Sequence, residues 1–233
     1  MLSFCAGKVR YIKQIQALRQ IFNKLEKMKI AIYCGGEIQL TNMHFDYYVG
    51  VDRGCLAVLA AQHPLHLAVG DFDSVTSAQL QQIKQAAQTL ILAPSEKDDS
   101  DSELALKAVF ARYPLAEVTL FGALGGRFDH SLINLFLPSN PDLAPFMRQI
   151  TLRDEQNMVC FYPAGDHWIE QDPTMRYIAF LAEGGRLAVT QAKYELTPAN
   201  YFPRKIYASN EFLDKPIRLE VDSGYAVVIQ SQD

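Results

Sequence analysis

The chain has 233 residues, of which 49% are hydrophobic and 21% charged, and a formal net charge of −4. That length suits one large domain or two modest ones with a buried core, and the mixed, slightly acidic charge gives no reason to expect nucleic acid, while leaving room for anions bound locally. No apolar run approaches the length of a membrane span, so no membrane is expected as a partner.

Lys8, Arg10, Lys13, Arg19, Lys24, Lys27 and Lys29 crowd the start of the chain, with Glu26 the only acid among them. Ile12, Ile15, Leu18, Phe22 and Leu25 recur at helical spacing. This predicts a basic amphipathic extension over 1–28, docked on the domain or standing outside its core. It lacks the long apolar centre and small-residue cleavage site of a secretory signal. The cysteines, Cys5, Cys34, Cys55 and Cys160, form no Cys-x-x-Cys pair. They predict neither a disulfide framework nor a zinc site, and a reducing, cytoplasmic compartment.

From Ile30 short apolar runs alternate with helical ones. Strands are predicted at Ile30–Cys34, Tyr48–Val51, Leu65–Val69, Thr89–Leu92 and Val118–Phe121. Helices are predicted at Cys55–Gln62, Ser77–Ala87 and Ser102–Arg112, and from about Phe128. Such alternation implies a parallel sheet with helices on its faces. Pro138, Asn140, Pro141 and Pro145 then interrupt the pattern. Beyond Gln149 the runs are short and strand-like: Ile150–Leu152, Met158–Tyr162, Arg176–Leu181, Arg186–Thr190, Ile217–Val221 and Tyr225–Ile229. Pro163-Ala164-Gly165, Glu183-Gly184-Gly185 and Asp222-Ser223-Gly224 read as the turns between them. The fold class is therefore α/β: a parallel-sheet α/β domain over 29–145, then an antiparallel β-sandwich domain over 146–233.

Ligands of α/β sheets bind at the C-terminal ends of strands, and four polar groups fall there. They are Asp52-Arg53-Gly54, Gly70-Asp71-Phe72-Asp73-Ser74, the loop Ser95 to Asp101, and Gly122 to His130. Each has an ordinary structural explanation. Asp52-Arg53-Gly54 fits a turn with a helix cap, and Gly125-Gly126 a tight turn. Ser100 and Glu103 fit a capping box, with Asp98, Asp99 and Asp101 complementing a helix dipole. The pair Asp71 and Asp73 fits such an explanation least well, because the apolar lead-in Leu67-Ala68-Val69 places it beside a buried strand. Two carboxylates about 5 Å apart repel by roughly 3 kcal/mol at an effective dielectric near 20. A cation, a basic ligand or solvent must relieve that repulsion.

Together the groups suit metal-assisted transfer at phosphorus. Mg2+ prefers oxygen ligands and is commonly held by one or two carboxylates plus substrate phosphates, and Asp71, Asp73 and Asp101 supply carboxylates. Lys97 and Arg127 suit phosphate oxygens, Arg127 as a fork and Lys97 as a point charge. Gly125 and Gly126 allow backbone N–H groups to approach a phosphate. There is no Walker-type phosphate loop and no protein-kinase catalytic-loop signature.

Asp52-x-Gly54, Gly70-Asp71-Phe72-Asp73-Ser74, Lys97-Asp98-x-Ser100-Asp101 and Gly122-x-x-Gly125-Gly126-Arg127-x-Asp129-His130 with Asn134 follow one another in order, and Lys193-Tyr194-x-Leu196 and Ser209-Asn210-Glu211 come later. In these motifs the chain resembles the thiamine pyrophosphokinase (thiamine diphosphokinase) family, over roughly residues 30–230. The resemblance implies transfer of the diphosphoryl group of ATP to the thiamine hydroxyl, with Mg2+ and release of AMP, by a homodimer whose active sites lie between subunits. It implies that Asp71, Asp73 and Asp101 hold the metal and polyphosphate, and that Lys97, Arg127 and the Gly125-Gly126 backbone bind phosphates. Asp52 and Asp129 complete the pocket, with Asp52 or Asp71 receiving the alcohol's proton, and Asp98 assists. Ser209 meets thiamine, with Asn210 shaping that end. The sole tryptophan, Trp168, is not assigned to thiamine stacking.

Two other classes fit some of the same residues. A glycosyltransferase using Asp-x-Asp explains Asp71 and Asp73, but not Lys97–Asp101 or Gly125–His130. A non-catalytic nucleotide- or cation-binding module makes the acidic pair a structural metal site.

Overall fold

The computed structural model describes residues 27–38, 43–94, 96–203 and 205–233. The predicted amphipathic run from Ile12 to Leu25 lies outside them.

The first half alternates as its sequence predicts. In chain order it has β1 (Lys29–Tyr33), β2 (Tyr47–Val51), α1 (Gly54–Ala60), β3 (Leu67–Gly70), α2 (Ser77–Ala86), β4 (Thr89–Leu92), α3 (Asp101–Arg112), β5 (Glu117–Phe121) and α4 (Phe128–Leu135). After two short 3-10 segments come β6 (Ile150–Arg153), β7 (Asn157–Ile169), β8 (Tyr177–Glu183), β9 (Leu187–Thr190), β10 (Tyr207–Glu211) and β11 (Ile217–Ser231). No helix among the described residues is long and apolar enough to cross a membrane.

β1, β2 and β3 are buried on both faces, which explains why their sequences are apolar runs instead of alternating patterns. α2 and α3 both start at capping boxes, Thr76 with Gln79 and Ser100 with Glu103. The strands β6-β5-β1-β2-β3-β4 run parallel to their neighbours in that order. The direction of strand addition reverses at β1, which lies between β5 and β2. The chain ends of β1, β2, β3 and β5 thus open into one crevice, the usual ligand site of such a sheet.

The second half is antiparallel, as predicted, but it is not a separate sheet. β6 pairs with β5 on one side and with β7 on the other, and the order continues through β11, β8 and β10, making one sheet of eleven strands. Two of the predicted turns are not turns. Pro163-Ala164-Gly165 lies inside β7, and Asp222-Ser223-Gly224 lies inside β11. They face one another across the ladder, where the register shifts between the pairs Val221–Gly165 and Tyr225–Pro163. The extra residues form a bulge that bends both strands, so turn-type chemistry serves a bend within paired strands. Beyond the bend, Val159, Phe161, Tyr225 and Val227 close the core beneath the parallel sheet. Ile169, Ile217, Leu219, Val221 and Val228 belong to a second core with Ile178, Phe180, Leu187 and Val189.

Candidate active site

Asp52 follows β2 directly and adopts a left-handed backbone, φ 49°, which aspartate tolerates better than most residues. Its N–H donates to the Val69 carbonyl at 2.9 Å, and its Oδ1 accepts the Phe72 N–H at 3.2 Å. The end of β2 is thereby tied to the loop leaving β3. Gly70 has φ 147°, and a Cβ there would lie 1.9 Å from Asp52 Oδ1. Only glycine leaves room for the carboxylate.

Between Asp71 and Asp73, Phe72 turns the other way. It is 3% exposed and packs among Ala31, Tyr33, Phe45, Tyr48, Val58, Leu65 and Ile83. Its own φ is 59°, a conformation that costs an ordinary L-residue roughly 1–2 kcal/mol. Burial of a phenylalanine ring contributes roughly 2–3 kcal/mol, so the anchoring outweighs the strain. The Asp73 N–H donates to Asp71 Oδ1 at 3.1 Å, which orients that carboxylate.

Asp101 is the first residue of α3. Lys97 Nζ lies 3.2 Å from Asp101 Oδ1 and donates to the Pro94 carbonyl at 3.0 Å. The contact with Asp101 is an ion pair without hydrogen-bond geometry, and that buried oxygen has no hydrogen-bond partner. Burial, followed by the charge of Asp101 and the smaller influences of Asp71 and Asp73, pushes the Asp52 carboxyl up to about 6, against the Phe72 N–H, which acts to lower it. Asp52, Asp71, Asp73 and Asp101 therefore share one electrostatic neighbourhood.

This neighbourhood fits a hard divalent cation. An orphaned buried oxygen, and a carboxyl that resists ionisation through burial and then the charges of three others, are both relieved by positive charge. Among the described residues no three side chains already converge as a complete cage. Mg2+ bound through one or two carboxylates and the oxygens of a polyphosphate needs none.

The remaining predicted residues of the first half stand in the loops after β4 and β5 and at the start of α4. Asp98 is exposed and lines an open hollow of about 510 Å³ with Asp99, Glu103, Lys107 and Ile133. Asp99 is structural: both its oxygens accept from Lys107 at 2.9 Å, and Asn140 Nδ2 donates to it at 3.1 Å and to Glu103 at 2.8 Å. Gly125 and Gly126 have φ 79° and 67°, with open space where side chains would be. Asn134 pins the loop by donating to the Ala123 carbonyl at 2.8 Å, and Ser131 does so at Gly125 at 3.2 Å. Arg127 pairs with Asp129 at 2.6 Å on the surface; its hydrogen bond holds the Asp129 carboxyl below the usual range. Exposed pairs contribute little, so Arg127 can exchange this partner for a phosphate.

Ser209 and Asn210 are not brought to these residues within the chain. They lie on β10 at one margin of the sheet, and seven strands separate β10 from β3. At ~4.8 Å per strand that is roughly 40 Å along the sheet. Ser209 is exposed with φ 59°. The buried Asn210 side chain spends its polar atoms inside the protein: Oδ1 accepts from the Tyr194 and Glu211 N–H groups at 2.9 and 3.0 Å, and Nδ2 donates to the Tyr194 carbonyl at 2.7 Å. It thereby ties the Lys193–Leu196 segment to β10, beside a cavity of about 510 Å³ lined by Tyr194, Phe202, Lys205, Tyr207 and Asn210.

Two family profiles match the chain: "Thiamin pyrophosphokinase, catalytic domain" over residues 38–144 and "Thiamin pyrophosphokinase, vitamin B1 binding domain" over residues 166–226. Thiamine pyrophosphokinase from Bacillus subtilis (strain 168) is 32% identical over 190 residues, 80% of this chain and 87% of that protein. The chain belongs to the thiamin pyrophosphokinase family. It is accordingly an enzyme with thiamine diphosphokinase activity. A crystal structure of a thiamin pyrophosphokinase family protein from Enterococcus faecalis is 40% identical with a TM-score of 0.81, covering 89% of this chain and 100% of that one. Yeast thiamin pyrophosphokinase, at 12% identity, shares the fold with a TM-score of 0.68, covering 88% and 86%.

Three supports of the candidate site were missed by sequence reasoning: the ring of Phe72, the fit of Gly70 to Asp52, and the bridge from Asn140 to Asp99 and Glu103. An apolar residue between two loop acids is a signal for the first. The other two depend on contacts 18 or more residues apart and leave no local trace.

Proposed function

We infer that the enzyme transfers the diphosphoryl group of ATP to the hydroxyl of thiamine, giving thiamine diphosphate and AMP. The shared electrostatic neighbourhood of Asp52, Asp71, Asp73 and Asp101, with Lys97 paired to Asp101, supports this reading. Asp71, Asp73 and Asp101 hold Mg2+, which draws polyphosphate charge into a site that would otherwise repel it. Lys97, Arg127 and the N–H groups of Gly125 and Gly126 bind phosphate oxygens, and Asp98 and Asp129 line the approach. The thiamine oxygen forms a bond to the β-phosphorus in line with the bridging oxygen to the α-phosphorus, whose bond breaks to release AMP. The hydroxyl proton passes to Asp52 or Asp71. Asp52 Oδ2 suits this, because Oδ1 already accepts the Phe72 N–H.

Residues 29–145 serve ATP and metal, and residues 146–233 serve thiamine, with Ser209 meeting it and Asn210 shaping that end. The separation of Ser209 from the carboxylates along one chain supports a homodimer in which each active site joins two subunits. Free Cys34, Cys55 and Cys160 suit a reducing, cytoplasmic compartment.

The deciding experiment is phosphorus NMR of the products formed from ATP, Mg2+ and thiamine. AMP with a diphosphate ester is the expected result; ADP, or no turnover, overturns the reading.

A further inference from the structure

We propose that Phe72 is the positioning residue of the metal-binding loop, holding Asp71 and Asp73 on one side of the backbone. This rests on the assignment of those two aspartates to the metal. Phe72 is buried, while Asp71 is half-buried and Asp73 exposed on either side of it, so the inward ring leaves both neighbouring carboxylates on the solvent side of the loop. The ring is buried in the cluster formed by β1, β2, α1 and α2, with Tyr33, Tyr48, Val58 and Ile83 around it. Its N–H donates to Asp52 Oδ1 at 3.2 Å and the Asp73 N–H to Asp71 Oδ1 at 3.1 Å, while the Ala93 N–H donates to the Gly70 carbonyl at 2.9 Å before the pair and the Val75 N–H to the Phe72 carbonyl at 3.4 Å after it.

The loop is thus fastened on both sides of the acidic pair. The left-handed φ of 59° at Phe72 shows the backbone yielding to keep the ring in place. Phe72 contacts the metal site only through its neighbours. Its removal frees the loop to place the two carboxylates independently, which weakens a ligand that needs both.

The test uses the full chain, Mn2+ as a spectroscopic stand-in for Mg2+, and the unreactive α,β-methylene analogue of ATP. Mn2+ binding is read by electron paramagnetic resonance, and the Mg2+ dependence of AMP formation is measured in parallel. Removing an outer-shell support weakens metal binding by about 10-fold or more. Phe72→Ala should therefore raise the Mn2+ dissociation constant by about that factor and shift the Mg2+ requirement upward, with kcat largely restored at high Mg2+. Phe72→Leu, which keeps a buried anchor, should weaken binding by only about 3-fold, and it carries the test if the alanine variant does not fold. Val58→Ala removes methyl groups from the same cluster and should lower Tm while leaving Mn2+ binding unchanged. Wild-type affinity in both Phe72 variants, or equal weakening in Val58→Ala, overturns the proposal. Absence of Mn2+ binding by the wild-type protein instead overturns the metal assignment itself, and this inference with it.

Discussion

The carboxylate of Asp52 occupies the space that a side chain at Gly70 would need: a Cβ built there lies 1.9 Å from Asp52 Oδ1. Two strand ends, twenty residues apart in the loop bond from Phe72 to Asp52, are thereby fitted to one another at a single atom. Gly70→Ala combines this overlap with an unfavourable φ of 147°. It should destabilise the fold by about 2–3 kcal/mol and displace Asp52 from the site. Urea unfolding together with the rate of AMP formation checks this, and a variant with wild-type values in both would refute it.

The pH dependence of stability follows from the same carboxyl. Its pKa rises from 3.8 to about 6 on folding, chiefly through burial and then the charge of Asp101. Between those values the folded chain binds more protons than the unfolded chain, so stability falls as pH rises through this window. The half-buried position screens the effect, leaving about 1–2 kcal/mol. Metal-free protein should therefore lose that stability between pH 4 and about 6.5, and Asp52→Asn should flatten the curve. Identical urea midpoints for the two proteins across the window would show the assignment to be wrong.

Asp73 is exposed and accepts no hydrogen bond among the described residues. Asp73→Asn should leave Tm within about 2 °C, since surface substitutions change stability by only ~0.5 kcal/mol. It should remove most transfer activity. If each site joins two subunits, mixing this variant with an inactive Ser209→Tyr protein should restore up to about a quarter of the wild-type rate, the share of wild-type sites in a randomly mixed dimer. No recovery after subunit exchange, verified by sedimentation of the mixed dimer, would place each site within one chain.

Asn210 makes three hydrogen bonds to backbone, accepting from the Tyr194 and Glu211 N–H groups and donating to the Tyr194 carbonyl, at distances of 2.7 to 3.0 Å. Asn210→Ala leaves these backbone groups unpaired and should cost about 2–3 kcal/mol. It should raise the KM for thiamine and leave Mn2+ binding at the distant carboxylates unchanged. A thiamine KM equal to that of the wild type would show that the clamp does not shape the thiamine end.

Much of the fold was legible because its signals are short-range. Apolar runs at Ile30–Cys34 and Leu65–Val69 marked doubly covered strands, and the Ser100–Glu103 spacing marked the start of a helix. The same locality misled at Pro163-Ala164-Gly165 and Asp222-Ser223-Gly224. These residues favour turns wherever they stand, and only pairing with a distant strand makes them a bulge. In the candidate site, the acidic residues were visible as types and spacings, whereas Asn210 offered no sign that its side chain is spent on the backbone of Tyr194.

By itself the sequence determined most strands and helices, though not β10 or the strand paths through Pro163–Gly165 and Asp222–Gly224, and which carboxylates follow strands, since periodicity, capping and chain order act over a few residues. Tertiary structure alone decided that one sheet joins both halves, that Phe72 anchors the acidic pair and that Gly70 accommodates Asp52. It also set Ser209 far along the sheet from Asp73. Those outcomes depend on register and packing between segments remote in the chain, which local pattern does not encode.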